Sequence, residues 1–224
     1  MTQRIILAGN AVTAQILHSY LVSDARYELL GLTVSDEYVS TGRLTGIESV
    51  PLSRAKQAFS PNECRVVMAI GYDNLNRVRE SVFLRLKSMG YTVETYVHPE
   101  ARVHTAIALG EGCVVLPGAV IEPYATLGAN TMVWTNVTLA HHCSVAEHCW
   151  IAAGSVVSGQ ARVLRNTFLG VNATIVNDVT VSEYCIVGAA AMISKDTKPH
   201  TVHLARSAEP FRFSSDDYVK HFKA

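Results

Sequence analysis

Hydrophobic residues recur at every sixth position over the second half of the chain. Residues 97–198 divide into 17 consecutive hexads, and the first position of each hexad is Val, Ile or Leu. The fifth position is mostly small, and the fourth, from Gly112 to Asp196, is dominated by residues that tolerate a positive φ, namely Gly, Asn, Asp and His. A short strand followed by a corner in every hexad predicts a triangular coil with three hexads per turn, in which residues 18 apart stack.

The unbroken period distinguishes this coil from an ordinary β-sandwich, whose turn signals fall at irregular spacings of about 8–12 residues. It also predicts an interior column in which Cys113, Cys149 and Cys185 alternate with Thr131 and Thr167. Turns stack about 4.8 Å apart, so successive cysteines in this column lie about 10 Å apart, beyond the ~7 Å that a disulfide can bridge. The cysteines are therefore predicted to fill the core.

The sixth position of each hexad points outward in such a coil, yet it is often apolar, as at Val114, Met132 and Trp150. An apolar outer face on a coil predicts a surface that a partner covers. Two partners are possible from the sequence alone: a second subunit, or the N-terminal part of the same chain.

Alternating strand and helix patterns precede the hexads. Apolar runs at residues 4–9, 27–34 and 64–72 predict buried strands, and helical spacing covers residues 11–21 and 73–89. Strands that alternate with helices predict a small parallel sheet, roughly half of a Rossmann-type unit.

The predicted fold class is therefore an α/β N-terminal domain with a small, Rossmann-like parallel sheet, followed by a parallel β-helix. The predicted limits are residues 1–96 for the α/β domain, 97–198 for the β-helix and 199–224 for a C-terminal tail that caps the open end of the coil.

Composition narrows the cellular setting. Lys plus Arg and Asp plus Glu number 19 each, which argues against a nucleic-acid-binding surface. The opening MTQRIILAGN is too short in its apolar run for a signal peptide, and no stretch approaches the ~20 apolar residues of a membrane span. Five cysteines in a chain without an export signal predict reduced thiols and hence a cytoplasmic protein, with no membrane partner.

The first strand–helix turn has the features of a phosphate site. Gly9, Asn10 and Ala11 open a dinucleotide-binding spacing in which Ala replaces the second and third glycines, and the backbone N–H groups of the following helix start are suited to a phosphate. Asp36, just after the second strand, is placed to bind a ribose or a base. A purely structural turn is the alternative, and a single half-site disfavours NAD.

A short α/β domain fused to uninterrupted hexads resembles the bacterial nucleotide-sugar N-acetyltransferases and the sialic-acid-type sugar O-acetyltransferases, over residues 4–195. The resemblance implies that the coil is left-handed, that the protein is a homotrimer with active sites between adjacent subunits, and that acetyl-CoA is the co-substrate. It also implies that the N-terminal domain holds the nucleotide of the acceptor. The segment Ala69–Gly71 resembles the family's nucleotide-contacting turn, so the predicted nucleotide-sugar-binding residues are Gly9, Asn10, Ala11, Asp36, Gly71 and Tyr72.

His141 is the candidate general base among nine histidines. Histidine suits this role because its pKa lies near neutrality, and the third position of a hexad has no steric need for it. His141 also coincides with the family's catalytic histidine, which opens a His-acidic-Cys sequence that reads His141-His142-Cys143 here. Because His142 cannot act as an anion, another acid or a backbone carbonyl is expected to set the His141 tautomer.

Gly159 is the candidate donor to the oxyanion. It follows His141 by 18 residues and is therefore predicted to stack directly on it, and the matching family position is a glycine whose backbone contacts the acyl group. The corner positions of His142 and His148 already explain those two histidines, and His148 is expected to stack between Asn130 and Asn166 in a corner ladder.

The resemblance further implies that coenzyme A lies extended along the coil between two subunits. Small residues would let its pantetheine arm approach, and basic residues near the C-terminal end would bind its phosphates, although an ordinary solvated face is an alternative for the latter. The predicted acyl-CoA-binding residues are Trp150, Ala152, Ala153, Gly154, Gly170, Val171, Gly188, Ala189, Lys195 and Arg206.

The function that these patterns favour is acetyl-CoA-dependent N-acetylation of the amine of a nucleotide-linked amino sugar, with His141 as general base. O-acetylation of a sugar hydroxyl is the alternative within this class. A non-catalytic nucleotide-binding scaffold and a β-helix metal hydratase are alternatives from other classes. A hydratase needs three converging histidines, whereas His142 and His148 are successive corners of one turn and diverge, so no metal is expected.

Overall fold

The computed structural model describes residues 2–39, 44, 46–47 and 49–222, so the outermost predicted limits, residues 1 and 224, lie outside the described residues. A four-stranded sheet comes first, with strand order β3-β2-β1-β4 and all pairs parallel. Its strands are β1 (Gln3–Ala8), β2 (Tyr27–Val34), β3 (Ser49–Pro51) and β4 (Arg65–Met68). The helices around it are α1 (Val12–Leu21), α2 (Ala55–Ala58) and α3 (Arg77–Ser88), with short 3-10 turns at Asp36–Tyr38 and Leu52–Arg54.

The parallel sheet and its three expected strands are confirmed, but two details differ from the prediction. Strand β3 was not expected, because three residues ending in a proline carry no strand pattern. Helix α3 begins at Arg77 rather than residue 73, since Asn74, Leu75 and Asn76 all have positive φ, between 49° and 64°. Three such residues in succession cannot continue a right-handed helix.

The coil consists of three parallel sheets, which form its faces. Face 1 contains β5 (Tyr96–Val97), β7 (Val114–Val115), β10 (Met132–Val133), β13 (Trp150–Ile151), β16 (Phe168–Leu169), β19 (Ile186–Val187) and β21 (Val202–His203). Face 2 contains β6 (Arg102–Val103), β8 (Val120–Ile121), β11 (Thr138–Leu139), β14 (Val156–Val157), β17 (Thr174–Ile175) and β20 (Met192–Ile193). Face 3 contains β9 (Thr126–Leu127), β12 (Ser144–Val145), β15 (Arg162–Val163) and β18 (Thr180–Val181).

The predicted stacking of residues 18 apart is confirmed on every face, for example where Met132 pairs with Trp150 and Thr138 pairs with Val156. The chain runs from face 1 to face 2 to face 3 and back. We name the corners between them corner 1–2, which contains Gly154, corner 2–3, which contains His142, and corner 3–1, which contains His148.

A positive φ is found at every fourth hexad position from Gly112 to Ala190, as the corner prediction requires. The prediction is wrong at Asp196, which is not in the left-handed region. There the last turn is shortened: Val202 pairs with Ile186, 16 residues earlier, and the corner falls at His200, with φ 60°. The Asp196 carboxylate instead accepts the Thr180 N–H at 2.7 Å.

The interior column of cysteines and threonines is a hydrogen-bonded ladder. Cys113 Sγ donates to the Gly128 carbonyl at 3.0 Å, Thr131 Oγ1 to the Ala146 carbonyl at 2.9 Å, and the same offset of 15 residues recurs at Cys149. All five cysteines are free and buried. Burial raises the pKa of the Cys113, Cys143 and Cys149 thiols to about 12, so these side chains are unreactive core residues, as expected.

The N-terminal domain covers face 1. The outward side chains of Val114, Met132 and Trp150 belong to the same buried cluster as Leu7 and Leu17 of the α/β sheet and helix. Face 2 remains open, with Val120 and Val156 partly exposed and Met192 67% exposed. The chain's own N-terminal domain therefore accounts for one apolar face of the coil and leaves another uncovered.

Arg79 joins α3 to corner 3–1. The side chain is fully buried, and its guanidinium donates to the main-chain carbonyls of Asn130, His148 and Cys149 at 3.0–3.3 Å, as well as to Gly71 O and Asn76 Oδ1. Burial lowers the pKa of Arg79 to about 10, so the group stays charged at neutral pH. One arginine thus satisfies several carbonyls that the docking of α3 removes from water.

Candidate active site

His141 and Gly159 stack on each other at corner 2–3. A Cβ atom built on Gly159 would lie 2.7 Å from Cε1 and 2.9 Å from Nε2 of the His141 ring, so only glycine leaves room for the ring in this position. Gly159 does not need a positive φ, so the requirement for glycine comes from the imidazole. The predicted juxtaposition of the two residues is therefore present in the structure.

The main-chain N–H groups at this corner have unequal partners. Glu122 Oε2 accepts the N–H of His141 at 2.8 Å. Within the described part of the chain, no backbone carbonyl accepts the N–H of Gly159, and the coil instead bonds Gln160 N–H to the His141 carbonyl at 3.1 Å. An unpaired N–H beside an imidazole is the combination that stabilises an oxyanion next to a general base.

The partner of the His141 ring is His142. The two Nδ1 atoms lie 3.3 Å apart and the ring planes meet at 81°, while Tyr124 stacks on His142 with ring centroids 4.7 Å apart. Among the described residues, no carboxylate or main-chain carbonyl bonds to the His141 ring. The expectation that another acid or a carbonyl would orient the ring is therefore wrong; Glu122 binds the main chain instead.

His148 is a structural residue of corner 3–1. Its Nδ1 lies 2.9 Å from Asn130 Nδ2, which confirms that part of the predicted ladder, whereas Asn166 turns away and donates to Glu80 at 2.8 Å. Burial lowers the pKa of His148 below its usual value. Across the residues that the structure describes, no group of three or more His, Cys, Asp or Glu side chains is arranged to hold a metal ion.

Most of the predicted coenzyme A residues share corner 1–2. Ala152, Gly170 and Gly188 stack in one column, and Ala153, Val171 and Ala189 in the next, 18 residues apart. A Cβ on Gly170 would lie 2.6 Å from Ala189 N, so the turns approach closely here. A cavity of about 440 Å³ lies at the last turn of this corner, lined by Ala190, Ala191, Met192, Ile193, Val202, His203, Leu204 and Ala205. Gly154 belongs to the same corner, and the exposed Lys195 and Arg206 follow the cavity residues in sequence.

Trp150 is the exception among these residues. It is only 4% exposed and packs beneath the N-terminal domain, with its ring 5.0 Å from that of Tyr72 and 5.6 Å from the Arg79 guanidinium. The sequence indicated an outward side chain correctly, but the α/β domain occupies the space outside it. Trp150 is therefore not accessible to coenzyme A in this chain.

A second cavity, of about 400 Å³, lies at the carboxyl ends of the α/β strands. Four of the predicted nucleotide-sugar residues line it: Gly9, Asn10, Ala11 and Gly71. Gly9 has φ 131°, and a Cβ there would lie 2.5 Å from the Ala69 carbonyl oxygen, so the turn between β1 and α1 needs glycine. Helix α1 starts at the cavity without a side-chain cap on its first N–H groups, which leaves them available to an anion.

Asp36 and Tyr72 lie outside this lining. The Asp36 carboxylate accepts the Ser53 N–H at 3.0 Å, and this bond holds the pKa of Asp36 below its usual value. Tyr72, 52% exposed, packs on Trp150 and Phe168. The lining also contains residues that were not predicted, namely Thr33, Val34, Ser35, Tyr38, Leu52, Ala69, Ile70, Asp73, Val78 and Val82. Their position after β2 and β4 was the signal that could have identified several of them.

The two candidate regions lie on different sides of the coil. The N-terminal domain packs on face 1 and corner 3–1, whereas His141 lies at corner 2–3, the corner opposite face 1. In a single chain the 400 Å³ cavity and the His141 ring therefore face away from each other. No helix in the described ranges is long and apolar enough to cross a bilayer.

No protein-family model and no curated protein matches the chain, but solved structures do. A histidine-to-asparagine variant of perosamine N-acetyltransferase from Caulobacter crescentus, in complex with CoA and GDP-perosamine, superposes with a TM-score of 0.80 at 22% identity, over 92% of this chain and 95% of that one. The acetyltransferase domain of PglB from Neisseria gonorrhoeae, in complex with acetyl coenzyme A, gives 0.81 at 22% identity, over 94% and 100%. WeeI from Acinetobacter baumannii gives 0.77 at 17% identity, over 90% and 97%. Over almost its whole length, the chain therefore has the fold of these solved acetyltransferases.

Proposed function

We propose that the protein transfers the acetyl group of acetyl-CoA to the amine of a nucleotide-linked amino sugar. The observation that carries the proposal is the His141–Gly159 stack, in which a basic ring lies against a main-chain N–H without a carbonyl partner. The amine nitrogen attacks the thioester carbonyl, His141 Nε2 takes the amine proton, and the Gly159 N–H stabilises the oxyanion. The C–S bond then breaks, and the proton passes from His141 to the departing thiolate.

The fold neighbours support this reaction class. Perosamine N-acetyltransferase binds CoA and GDP-perosamine, and the PglB acetyltransferase domain binds acetyl coenzyme A. These names favour transfer to an amine over O-acetylation of a hydroxyl, which stays the second candidate within the class. We also infer from the shared fold that the coil is left-handed and that the N-terminal sheet is Rossmann-like, within domain limits 1–96, 97–198 and 199–224.

The nucleotide of the acceptor is assigned to the 400 Å³ cavity of the α/β domain. Its diphosphate would lie against the uncapped start of α1, beside Gly9 and Ala11, where the N–H groups and the helix dipole favour an anion. Asn10, Gly71 and Tyr72 would contact the nucleotide or its sugar. For Asp36, the Ser53 contact argues for a role in holding the loop, and a direct contact to ribose stays an untested prediction.

Coenzyme A is assigned to the small-residue columns of corner 1–2. Face 2 separates this corner from His141, and Gly154 is only one two-residue strand away from Gly159. A pantetheine arm that runs from the cavity at the last turn across face 2 would therefore deliver its thioester to His141. Lys195 and Arg206 are proposed for the phosphates.

A homotrimer would unite the two regions. Because the acceptor cavity faces away from His141 of the same chain, a complete site needs the α/β domain of one subunit beside corner 2–3 of another. The open face 2, with Val120, Val156 and Met192, supplies apolar surface for that contact. We propose that the enzyme acts in the cytoplasm, where acetyl-CoA and nucleotide sugars are available and where its buried cysteines stay reduced.

A thiol-release assay with acetyl-CoA and a panel of nucleoside-diphosphate amino sugars tests the proposal. We expect turnover with at least one amine acceptor and a loss of about 10²–10⁴-fold in His141→Ala, with coenzyme A binding retained. Turnover only with hydroxyl acceptors would establish O-acetylation. Nucleotide binding without thioester cleavage for every acceptor would favour the non-catalytic scaffold.

A further inference from the structure

His142 provides the hydrogen-bonding contact to the His141 ring among the described side chains. Their Nδ1 atoms are 3.3 Å apart. Two neutral imidazoles can form such a bond only when one Nδ1 carries its proton and the other offers its lone pair. The contact therefore couples the tautomers of the two rings.

We propose that His142 is a positioning residue that accepts the Nδ1–H of His141 and thereby keeps the lone pair of His141 on Nε2. The inference rests on the proposed function and adds to it the group that orients the base. The opposite arrangement, in which His142 donates, would leave the proton of neutral His141 on Nε2 and remove its basic site. The ring edge that carries Nε2 and Cε1 faces Gly159, where the thioester is proposed to lie.

The surroundings hold His142 in this role. Its backbone has φ 60°, and Tyr124 stacks on its ring with an angle of 27° between the planes. The neighbouring ionisable groups are His141, Tyr124 and Glu122, whose carboxylate is engaged by the His141 main chain. Further along the corner, Asp178 is bonded to Gln160 at 2.6 Å. The acceptor for the His141 ring is therefore a neutral imidazole.

This arrangement has a kinetic signature. The base works only while both rings are neutral, because a protonated His142 loses its acceptor and repels the imidazolium of His141. The acid limb of the kcat/KM profile should therefore fall by up to about a hundredfold per pH unit, whereas loss of a single proton site gives about tenfold. During the reaction the amine proton moves to Nε2 of His141, and no proton moves to His142.

Two substitutions separate the acceptor from the corner backbone. His142→Asn keeps an acceptor oxygen and suits a positive φ, as Asn136 does at its own corner, whereas His142→Gly keeps the backbone and removes the acceptor. We expect His142→Asn to retain kcat within about tenfold and to show the shallower acid limb. We expect His142→Gly to lose about 10–100-fold in kcat with little change in KM, the usual effect of removing a group that orients a functional histidine.

Asn136→Gly makes a comparable corner exchange away from His141, and it should leave kcat unchanged. A second readout does not need activity: nitrogen chemical shifts of labelled histidine should report the Nδ1–H tautomer of His141 in the wild type and in His142→Asn, and a mixture in His142→Gly.

An unchanged tautomer and kcat in His142→Gly would overturn the inference, as would an acid limb of single slope in the wild type. A wild type that cleaves no thioester would instead refute the proposed function, while the nitrogen shifts would still test the histidine contact. The two failures are therefore distinguishable.

Discussion

The guanidinium of Arg79 donates to the main-chain carbonyl of His148 across 3.0 Å, and this contact ties the α/β domain to the coil. Replacement by Arg79→Met should lower the free energy of unfolding by about 3 kcal/mol or more, because several buried carbonyls lose their donor at about 1–3 kcal/mol each. Denaturant unfolding measures the loss. Arg85→Met, on the exposed side of the same helix, is the matched control and should change the stability little. Equal losses in the two variants would contradict the role of Arg79.

Gly159→Ala should abolish most turnover without a comparable loss of stability. The new Cβ would lie 2.7 Å from Cε1 of His141, and the ring, at the end of a rotatable side chain, would move away from its position. We expect a fall of about 10²-fold or more in kcat, the order found when one oxyanion donor or a base is misplaced.

The double variant Gly159→Ala/His141→Ala provides the check on this reasoning. If the alanine acts by displacing the ring, it should cost much less in the absence of the ring, so the two effects should not add. Full additivity would show that Gly159→Ala acts independently of His141.

Ala11→Asp should weaken acceptor binding and leave the fold intact. Ala11 is the N-cap of α1 and lines the cavity. An aspartate is a favourable N-cap, but it would compete with and repel a diphosphate at the same N–H groups. We expect the KM for the nucleotide sugar to rise about tenfold or more while the KM for acetyl-CoA stays constant. Ala11→Ser, a neutral cap, is the control, and an equal rise in both variants would remove the phosphate from this position.

His148 should make the stability of the protein depend on pH. Burial lowers its pKa in the folded state below the usual 6.5, so the unfolded state binds the proton more readily. The stability from the neutral ring is complete above pH 6.5, and it is lost as the pH falls from there towards the folded pKa. The groups that act on the ring are Glu80, Arg79, Glu147 and Arg165.

His148→Asn keeps the corner and should flatten this part of the unfolding profile. Since His148 is structural, the same variant should retain nearly full turnover, in contrast to His141→Ala. A loss of turnover as large as that of His141→Ala would reopen the case for a metal site.

Shared active sites predict complementation between subunits. Homotrimers of His141→Ala and of an acceptor-site variant such as Ala11→Asp should each be poorly active. Mixed trimers should regain part of the activity, because one interface can combine an intact α/β domain with an intact His141. Light scattering should give the mass of a trimer, and a monomer at micromolar concentration, or mixing without recovery, would count against the shared site.

The sequence predicts the coil well and the docking of the N-terminal domain poorly. The stack of Gly159 on His141 follows from the hexad register alone, because each turn contains the same number of residues. The burial of Trp150, the role of Arg79 and the bond between Asp36 and Ser53 depend on how separate elements pack, and no local pattern specifies that packing. The His141–His142 contact lies between these cases, since adjacency is visible in the sequence but ring orientation is not.

The alternation of cysteine and threonine inside the coil restricts how the protein can change in length. Cys113 and Cys149 are 36 residues apart, or two turns. Removal of a single turn of 18 residues between them would restore every face and corner, yet it would bring two thiols onto adjacent turns. At about 4.8 Å between strands, they would fall within the range of about 4.4–6.8 Å at which a disulfide can form. A coil shortened or lengthened by pairs of turns keeps its thiols apart, so two turns, rather than one, form the unit in which this helix can safely grow or shrink.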